Sequence, residues 1–277
     1  MKVSTIIENL STYKDLTPKH GLSLMVESGA HSFLIDAGSD EATYSNFTAL
    51  DFSPCDIQKI VISHNHYDHI GGLEKFLKVT DVPVYISDAS KLRLVAKEAD
   101  NTLRKLSQEE LLEKYNDRFV YVHDMEKIFD NVFVCKIVKP DPKFMCKDKR
   151  LQKQIAGQLY PDDFAHEVYI AVLEDGECKI ISSCSHNGIV NIIADAKRRF
   201  PQHKVSVFVG GMHLKGKSLG SLNCSESFLV QLARQLDELG VENIYTCHCT
   251  GTRAYSILKP LCKARITYFS TGDMLNV

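Results

Sequence analysis

Apolar residues recur along this chain in two rhythms, a period of two and a period near 3.6, and the switches between them predict an ordered series of strands and helices. Residues 2–8, KVSTIIE, predict a first or edge strand. LSLMVES at 22–28 and HSFLIDAG at 31–38 predict a hairpin turned at Ser28-Gly29. A short helix is expected over 40–50, and Ser53-Pro54 reads as a cap with proline at the first helical position. KIVIS at 59–63 is a short buried strand, and residues 71–79 begin an amphipathic helix. A strand follows at 82–88, with a proline near its start.

Charged residues with helical spacing fill 89–118, through Leu92, Val95 and Ala96, then Leu103, Leu106, Leu111 and Leu112, and predict two helices. Strands are expected at 119–124 and 131–138, followed by a long loop over 139–165. Residues 167–175 and 178–186 predict a hairpin turned at Gly176. Beyond it come a helix at 187–200, a strand at 204–214 and a helix at 225–239, capped by Ser225 and stopped by Gly240. The chain finishes with a strand at 241–251, a helix after it and a strand at 265–273. The expected organisation is one domain, 1–277, with a helical and loop insertion at about 89–165.

At 44% hydrophobic content the chain can bury a sizeable core, and a net charge of −2 gives no basic field for nucleic acid. No run is long and apolar enough to cross a membrane, and the N-terminus does not read as a signal peptide. Nine cysteines, an odd number, are expected to be mostly free thiols in a reducing cytosol. A basic cluster, Lys143, Lys147, Lys149, Arg150 and Lys153, is either a solvated face or a meeting point for an anionic substrate.

The chemistry concentrates in HNHYDHIGG, residues 64–72, on a strand-to-helix loop. On an extended stretch His64, His66 and Asp68 would face one way, and His69 would join them only through a turn, which Gly71-Gly72 suits. Imidazoles and a carboxylate so grouped suit zinc, manganese or iron. Three later strands end on His186, His213 and His248.

Here the sequence resembles the metallo-β-lactamase-fold superfamily, whose His-x-His-x-Asp-His signature is matched by His64, His66, Asp68 and His69. The signature is specific for the fold and uninformative about substrate. The resemblance implies an α/β (α+β) architecture, an αββα sandwich with two mixed β-sheets between layers of helices. It implies that Asp36 braces a ligand of the main loop and that His248 is the last histidine ligand. Relatives place a bridging Asp at a strand end, after a Gly. This chain instead has Ser183-Cys184-Ser185-His186, so Cys184 stands near the bridging position and His186 just beyond it. The implied metal set is thus His64, His66, Asp68, His69, His186, His248 and Cys184, around two divalent transition-metal ions. His166 is a weak candidate for a missing ligand. His213 is open between ligand, substrate contact and general acid; it and Asp68 are the catalytic candidates.

His-Gly-Leu-Ser at 20–23, Cys-Ser-His-Asn-Gly-Ile-Val-Asn at 184–191, Gly-Gly-Met-His-Leu at 210–214 and His-Cys-Thr-Gly at 248–251 resemble a subgroup of these proteins more closely. That subgroup includes dihydropterin ribofuranosyl-aminobenzene phosphate synthase-like proteins. The leading expectation is a cytosolic hydrolase that uses a dinuclear metal-bound hydroxide on a small anionic ester, phosphodiester or lactone. In the site so implied, the helix starting near Asn187 offers its N-terminus to an anion, and Glu8, Asn9 and His20 are cleft candidates. The alternative is a pterin-pathway synthase on the same metal site. A redox or sensing protein fits less well, because diiron relatives carry Glu where this chain has His66, and a non-catalytic binding module does not fit an intact motif. The expected partner is a small anionic molecule, neither nucleic acid nor membrane, and residues 89–118 offer an interface for a homo-oligomer.

Overall fold

A computed structural model describes residues 1–218 and 220–277. It is mixed α/β, with sheets flanked by helices, and the chain divides into two compact units. Unit 1 comprises Met1–His123, Asp148–Val168 and Ser270–Val277; unit 2 comprises Asp124–Lys147 and Tyr169–Phe269.

The main sheet of unit 1 has seven strands, in the spatial order Met274–Asn276, Lys2–Ile7, Ser23–Ser28, His31–Ile35, Lys59–Val61, Val84–Ser87 and Phe119–Val122. Its first half is antiparallel and its second half parallel. Alternation in these short strands sends Ile6, Met25, Leu34, Ile60, Val84 and Ile86 into one apolar cluster. Phe47 on the helix Ala42–Ala49 and Phe76 on the helix Leu73–Leu77 enter the same cluster, their rings edge to face at 5.5 Å.

Residues 89–118 depart from expectation. Only Glu109–Lys114 forms an α-helix; Arg93–Lys97 and Leu103–Lys105 are strands. Part of the expected loop at 139–165 is the hairpin Leu151–Ile155 and Gln158–Pro161. Together they form a four-stranded antiparallel sheet in which Leu151 opposes Ala96 and Lys153 opposes Leu94. Leu94, Val95 and Ala96 are buried in succession, so this strand is covered on both faces and loses its period-two signature. The pairing partner lies more than fifty residues away, beyond the reach of any local pattern.

In unit 2 the sheet runs Arg265–Tyr268, Asn243–Thr246, Lys204–Gly210, Glu177–Ser182, Val168–Glu174, Val132–Lys136 and Met125–Phe129. The first four strands are mutually parallel, as expected of strands joined through the helices Ile189–Arg199, Glu226–Leu239 and Gly251–Leu261. Ser225 Oγ accepts from Phe228 N–H at 3.2 Å, and Gly240 ends that helix in the left-handed region, both as the sequence predicts. Strands Met125–Phe129 and Met274–Asn276 have no counterpart in the sequence pattern; both lie at sheet edges and carry weak alternation.

One polar network is buried in unit 2. Asp195, 7% exposed, accepts from Tyr169 Oη at 2.8 Å and Arg199 Nε at 2.7 Å. Arg199 reaches on to Asp124 at 2.5 Å. Removing the shared acceptor strands a buried hydroxyl and leaves the Arg199 guanidinium with only its outer partner, Asp124, as a carboxylate. Asp195→Ala should therefore lower the unfolding free energy by about 3 kcal/mol, read as a lower urea midpoint at unchanged slope. A change under about 1 kcal/mol would show that the network contributes little.

Candidate metal centre

In unit 1 the motif loop takes its place from two parallel strands. His31–Ile35 and Lys59–Val61 pair with Ile35 opposite Val61, so their C-terminal ends finish level. Asp36 leaves the first strand and Ser63 follows the second. Asp36 Oδ1 accepts Ser63 N–H at 2.7 Å, and Oδ2 accepts the Ser63 hydroxyl at 2.7 Å. His69 Nδ1 lies 2.6 Å from the same Oδ2, and His64 Nδ1 lies 2.8 Å from Ser63 Oγ.

The proton count fixes the tautomers. A carboxylate oxygen can only accept, so His69 Nδ1 carries the hydrogen. The single Ser63 proton goes to Asp36, so Ser63 Oγ accepts from His64 Nδ1–H. Both rings then present Nε2 as the lone-pair nitrogen, the form in which histidine binds a metal. Asp36 thus occupies the bracing position that the sequence implied.

The motif loop is not extended throughout. The helix Tyr67–Ile70 begins inside it, with His66 as its N-cap and Asp68 and His69 in its first turn. Helical curvature, not strand alternation, turns His69 back toward His64, with ring centroids 4.2 Å apart. His64 and His66 stand 4.5 Å apart. Gly71 and Gly72 do not serve as a left-handed turn: their φ angles are −60° and −85°. Glycine is needed there because a Cβ at Gly71 would lie 2.2 Å from Ser39 O, and one at Gly72 2.2 Å from Ala37 O.

His166 enters the same cluster, its ring 5.3 Å from His66 and 6.0 Å from His64. Val168 N–H donates to Ser63 O at 2.7 Å, which holds the His166 loop against the motif loop. His166 Nε2 lies 3.0 Å from Asp162 Oδ2, and both side chains are 1% exposed. Its Nδ1 is buried and makes no hydrogen bond. This is the arrangement of a metal-binding histidine whose second nitrogen is held by a carboxylate. The sequence pattern rates His166 low because its partner Asp162, four residues earlier, sits in a stretch without periodicity. Around Asp68, His20 Nε2 lies 3.2 Å from Oδ2, and His20 Nδ1 lies 3.3 Å from Asn9 Oδ1.

In unit 2 the three strands expected to end on histidines are parallel neighbours, with Ser182, Gly210 and Thr246 in register. Their ends place Cys184 and His186, then His213, then His248, on one rim of the sheet. The ends of parallel strands are where α/β sheets bind ligands. Ser185, His213 and His248 all adopt left-handed φ, at 54°, 47° and 51°, as Asp36 does at 57°. Non-glycine residues in that region cluster at functional sites.

His186 and His213 rings are 4.3 Å apart, and Cys146 and Cys249 join them. Burial pushes the Cys249 thiol up, but hydrogen bonding to Cys184 and His213 and the charge of His248 and His213 outweigh it and hold the thiol well below its ordinary value. Burial pushes His213 down, yet Cys146 and Cys249 raise it well above the usual imidazole range. The sequence pattern singles out neither Cys146 nor Cys249 as a ligand; the Cys-His-Cys run at 247–249 is the one available signal. The segment before this rim lies over the expected anion-binding helix start, with Cys146 N–H donating to His186 O at 2.7 Å. The basic cluster is divided: Arg150 pairs with Asp148 at 2.6 Å and Lys153 with Asp163 at 2.5 Å, so these two charges are satisfied internally.

Comparison with known proteins agrees with the fold. Residues 16–140 match the family model of the metallo-beta-lactamase superfamily. The chain is 28% identical to the 7,8-dihydropterin-6-methyl-4-(beta-D-ribofuranosyl)-aminobenzene-5'-phosphate synthase of Methanocaldococcus jannaschii, over 99% of this chain and 96% of that protein. Among solved structures, Tm1679, a metal-dependent hydrolase of the beta-lactamase superfamily, superposes with a TM-score of 0.84 at 26% identity, covering 100% of this chain and 99% of the other. Zinc-bound PqqB from Methylobacterium extorquens shares the fold at a TM-score of 0.60 and 13% identity, with both chains covered fully.

Burial, with His166 next, holds the His66 imidazole down at about 3, so it stays neutral where the unfolded chain titrates near 6.5. Below 6.5 the unfolded state then binds the extra proton, and stability falls as the pH drops. In metal-free protein this should appear between pH 6.5 and 5, above the carboxylate range, as a loss of about 1 kcal/mol per pH unit. His66→Gln should flatten that slope in urea titrations; an unchanged slope would assign it elsewhere.

Proposed function

We propose that the chain is an enzyme of the metallo-β-lactamase superfamily, a metal-dependent hydrolase of a small anionic ester, phosphodiester or lactone. The observation that carries this is the pairing of buried imidazoles with buried carboxylates, Asp36 on His69 and Asp162 on His166. Each pairing fixes one ring nitrogen and commits the other to a cation.

The proposed ligands are His64, His66, Asp68 and His69 of unit 1, now joined by His166, and His186, His248 and Cys184 of unit 2. The donor chemistry fits two divalent transition-metal ions, zinc first, with manganese or iron as alternatives. Ions held there supply Lewis acidity and bring the pKa of a bound water toward neutrality. The chain's own residues do the rest. Asp68 orients the attacking water and accepts its proton, with His20 close to its Oδ2 at 3.2 Å. His213, raised by the neighbouring thiols, delivers a proton to the leaving group. Asn65 anchors the motif loop, donating to Ser90 O at 2.7 Å and accepting from Gln108 N–H at 3.0 Å.

The proposal extends to a cytosolic protein acting on a small anionic molecule, with residues 89–118 as the face for any homo-oligomer. Its nine cysteines, all outside disulfides, support the compartment. Among the described residues no helix is long and apolar enough to cross a membrane. A second reading, a pterin-pathway synthase on the same metal site, is supported by the full-length likeness to the M. jannaschii synthase.

Metal analysis by mass spectrometry tests the core of this. The purified protein should hold about two equivalents of transition metal, and His66→Ala, His166→Ala and His248→Ala should each lose about one. Less than about half an equivalent in the wild type would end the dinuclear reading. A panel of bis-p-nitrophenyl phosphate, lactones, thioesters and β-lactams should show turnover that falls at least about 100-fold in the His66 and His248 variants. Full metal loading with no turnover on any of them would favour the synthase.

A further inference from the structure

The rim of unit 2 holds more sulfur than the hydrolase reading uses. The donor atoms of Cys184, His213 and Cys249 lie within 4.8 Å of one another, and so do those of Cys146, His186 and His213. Zinc bonds of about 2.3 Å to sulfur and 2.0–2.1 Å to nitrogen set donor separations of roughly 3.5–3.8 Å around one tetrahedral ion. The Cys184–His213–Cys249 donors therefore stand at most about 1 Å beyond the separations that one cation sets.

The backbone prepares this triangle. His213 N–H points at Cys249 Sγ, 3.3 Å away, an orientation that stabilises a thiolate. Room for the sulfur depends on Gly211, where a Cβ would sit 2.5 Å from Cys249 Sγ. His213 Nδ1 is buried and makes no hydrogen bond. Beside the triangle, a narrow pocket is lined by Cys146, Lys147, Ser185, Met212, His213 and Cys224. Its volume of about 10 Å³ gives room for a water or an ion.

We propose that Cys184, Cys249 and His213 form a thiolate–imidazole site for a thiophilic divalent ion, zinc or cadmium, with Cys146 as the adjoining sulfur. Binding takes up the Cys249 thiolate and releases the Cys184 thiol proton and the His213 proton to solvent. It also withdraws His213 from proton delivery, so an ion at this site inhibits turnover. The site shares Cys184 and His213 with the hydrolase reading, and the experiment separates the two.

Purified protein is titrated with cobalt(II), following thiolate-to-cobalt charge-transfer absorption and bound equivalents together. Wild type should develop the charge-transfer band, and Cys249→Ser should lose most of it with about one equivalent of metal. His66→Ala should retain the band while losing metal of its own. Unchanged band and stoichiometry in Cys249→Ser would overturn the thiolate site and leave the hydrolase reading intact. Loss in Cys249→Ser with no loss in His66→Ala would do the reverse. Should Cys249→Ser fail to fold, cadmium-113 NMR of the wild type decides: a resonance in the region of mixed sulfur and nitrogen coordination supports the site, and one in the oxygen and nitrogen region overturns it.

Discussion

The Asp36 carboxylate is the interaction on which the chemistry of unit 1 depends. Its two oxygens accept from Ser63 N–H, Ser63 Oγ–H and His69 Nδ1–H, all within 2.7 Å and all buried. Three consequences follow from one group. The loop after Lys59–Val61 is held to the end of His31–Ile35; His69 is locked in one tautomer; and Ser63 relays the same constraint to His64. A buried carboxylate is tolerated only where its lone pairs are satisfied, so the residues that preorganise the histidines also make Asp36 tolerable in the interior. His-Gly-Leu-Ser at 20–23 belongs to this frame as well: Leu22 N–H reaches Asp68 O at 3.1 Å, and Ser23 Oγ donates to Asp36 O at 2.8 Å.

Unit 2 solves the positioning problem with strand ends instead of a carboxylate. Parallel pairing puts Ser182, Gly210 and Thr246 at one level, and each following residue then turns out of the sheet. The turn is tied by Gly211 N–H to Ser183 O at 2.8 Å, Ser185 Oγ to Gly211 O at 2.7 Å and Met212 N–H to Thr250 Oγ1 at 2.9 Å. These bonds span all three strand ends, so the left-handed backbone at Ser185, His213 and His248 is over-determined by its surroundings. The subgroup motifs at 184–191, 210–214 and 248–251 are the three sides of this one knot.

Legibility in the sequence follows the range of the forces involved. Helices with a one-sided apolar stripe, such as Ile189–Arg199 and Glu226–Leu239, and strands bounded by turns are readable, because their stabilising pattern is local. Residues 93–105 and 151–161 are not: Arg93–Lys97 is covered on both faces and has no alternation, and its partner Leu151–Ile155 lies far along the chain. The site divides in the same way. His64, His66, Asp68 and His69 stand together in sequence and are visible at once, though alternation misplaces them relative to one another because a helix starts at Tyr67. Cys146, Cys249 and the Asp162–His166 pair acquire chemical meaning only when folding brings donors together, and no spacing rule reports that.

The two rims differ in donor softness, and this bears on the choice of metal. Unit 1 offers imidazole and carboxylate, a set that zinc, manganese and iron all accept. Unit 2 adds the thiols of Cys146, Cys184 and Cys249 to imidazole, a set that disfavours manganese and suits zinc. An ion held by sulfur and imidazole together is borderline in character, as zinc is. The sulfur that recommends zinc is also a liability, since a rim with more thiolates than its catalytic ions require will compete for the same metal. Under the two proposals made above, the competition falls on His213, where proton delivery and soft-metal coordination would meet.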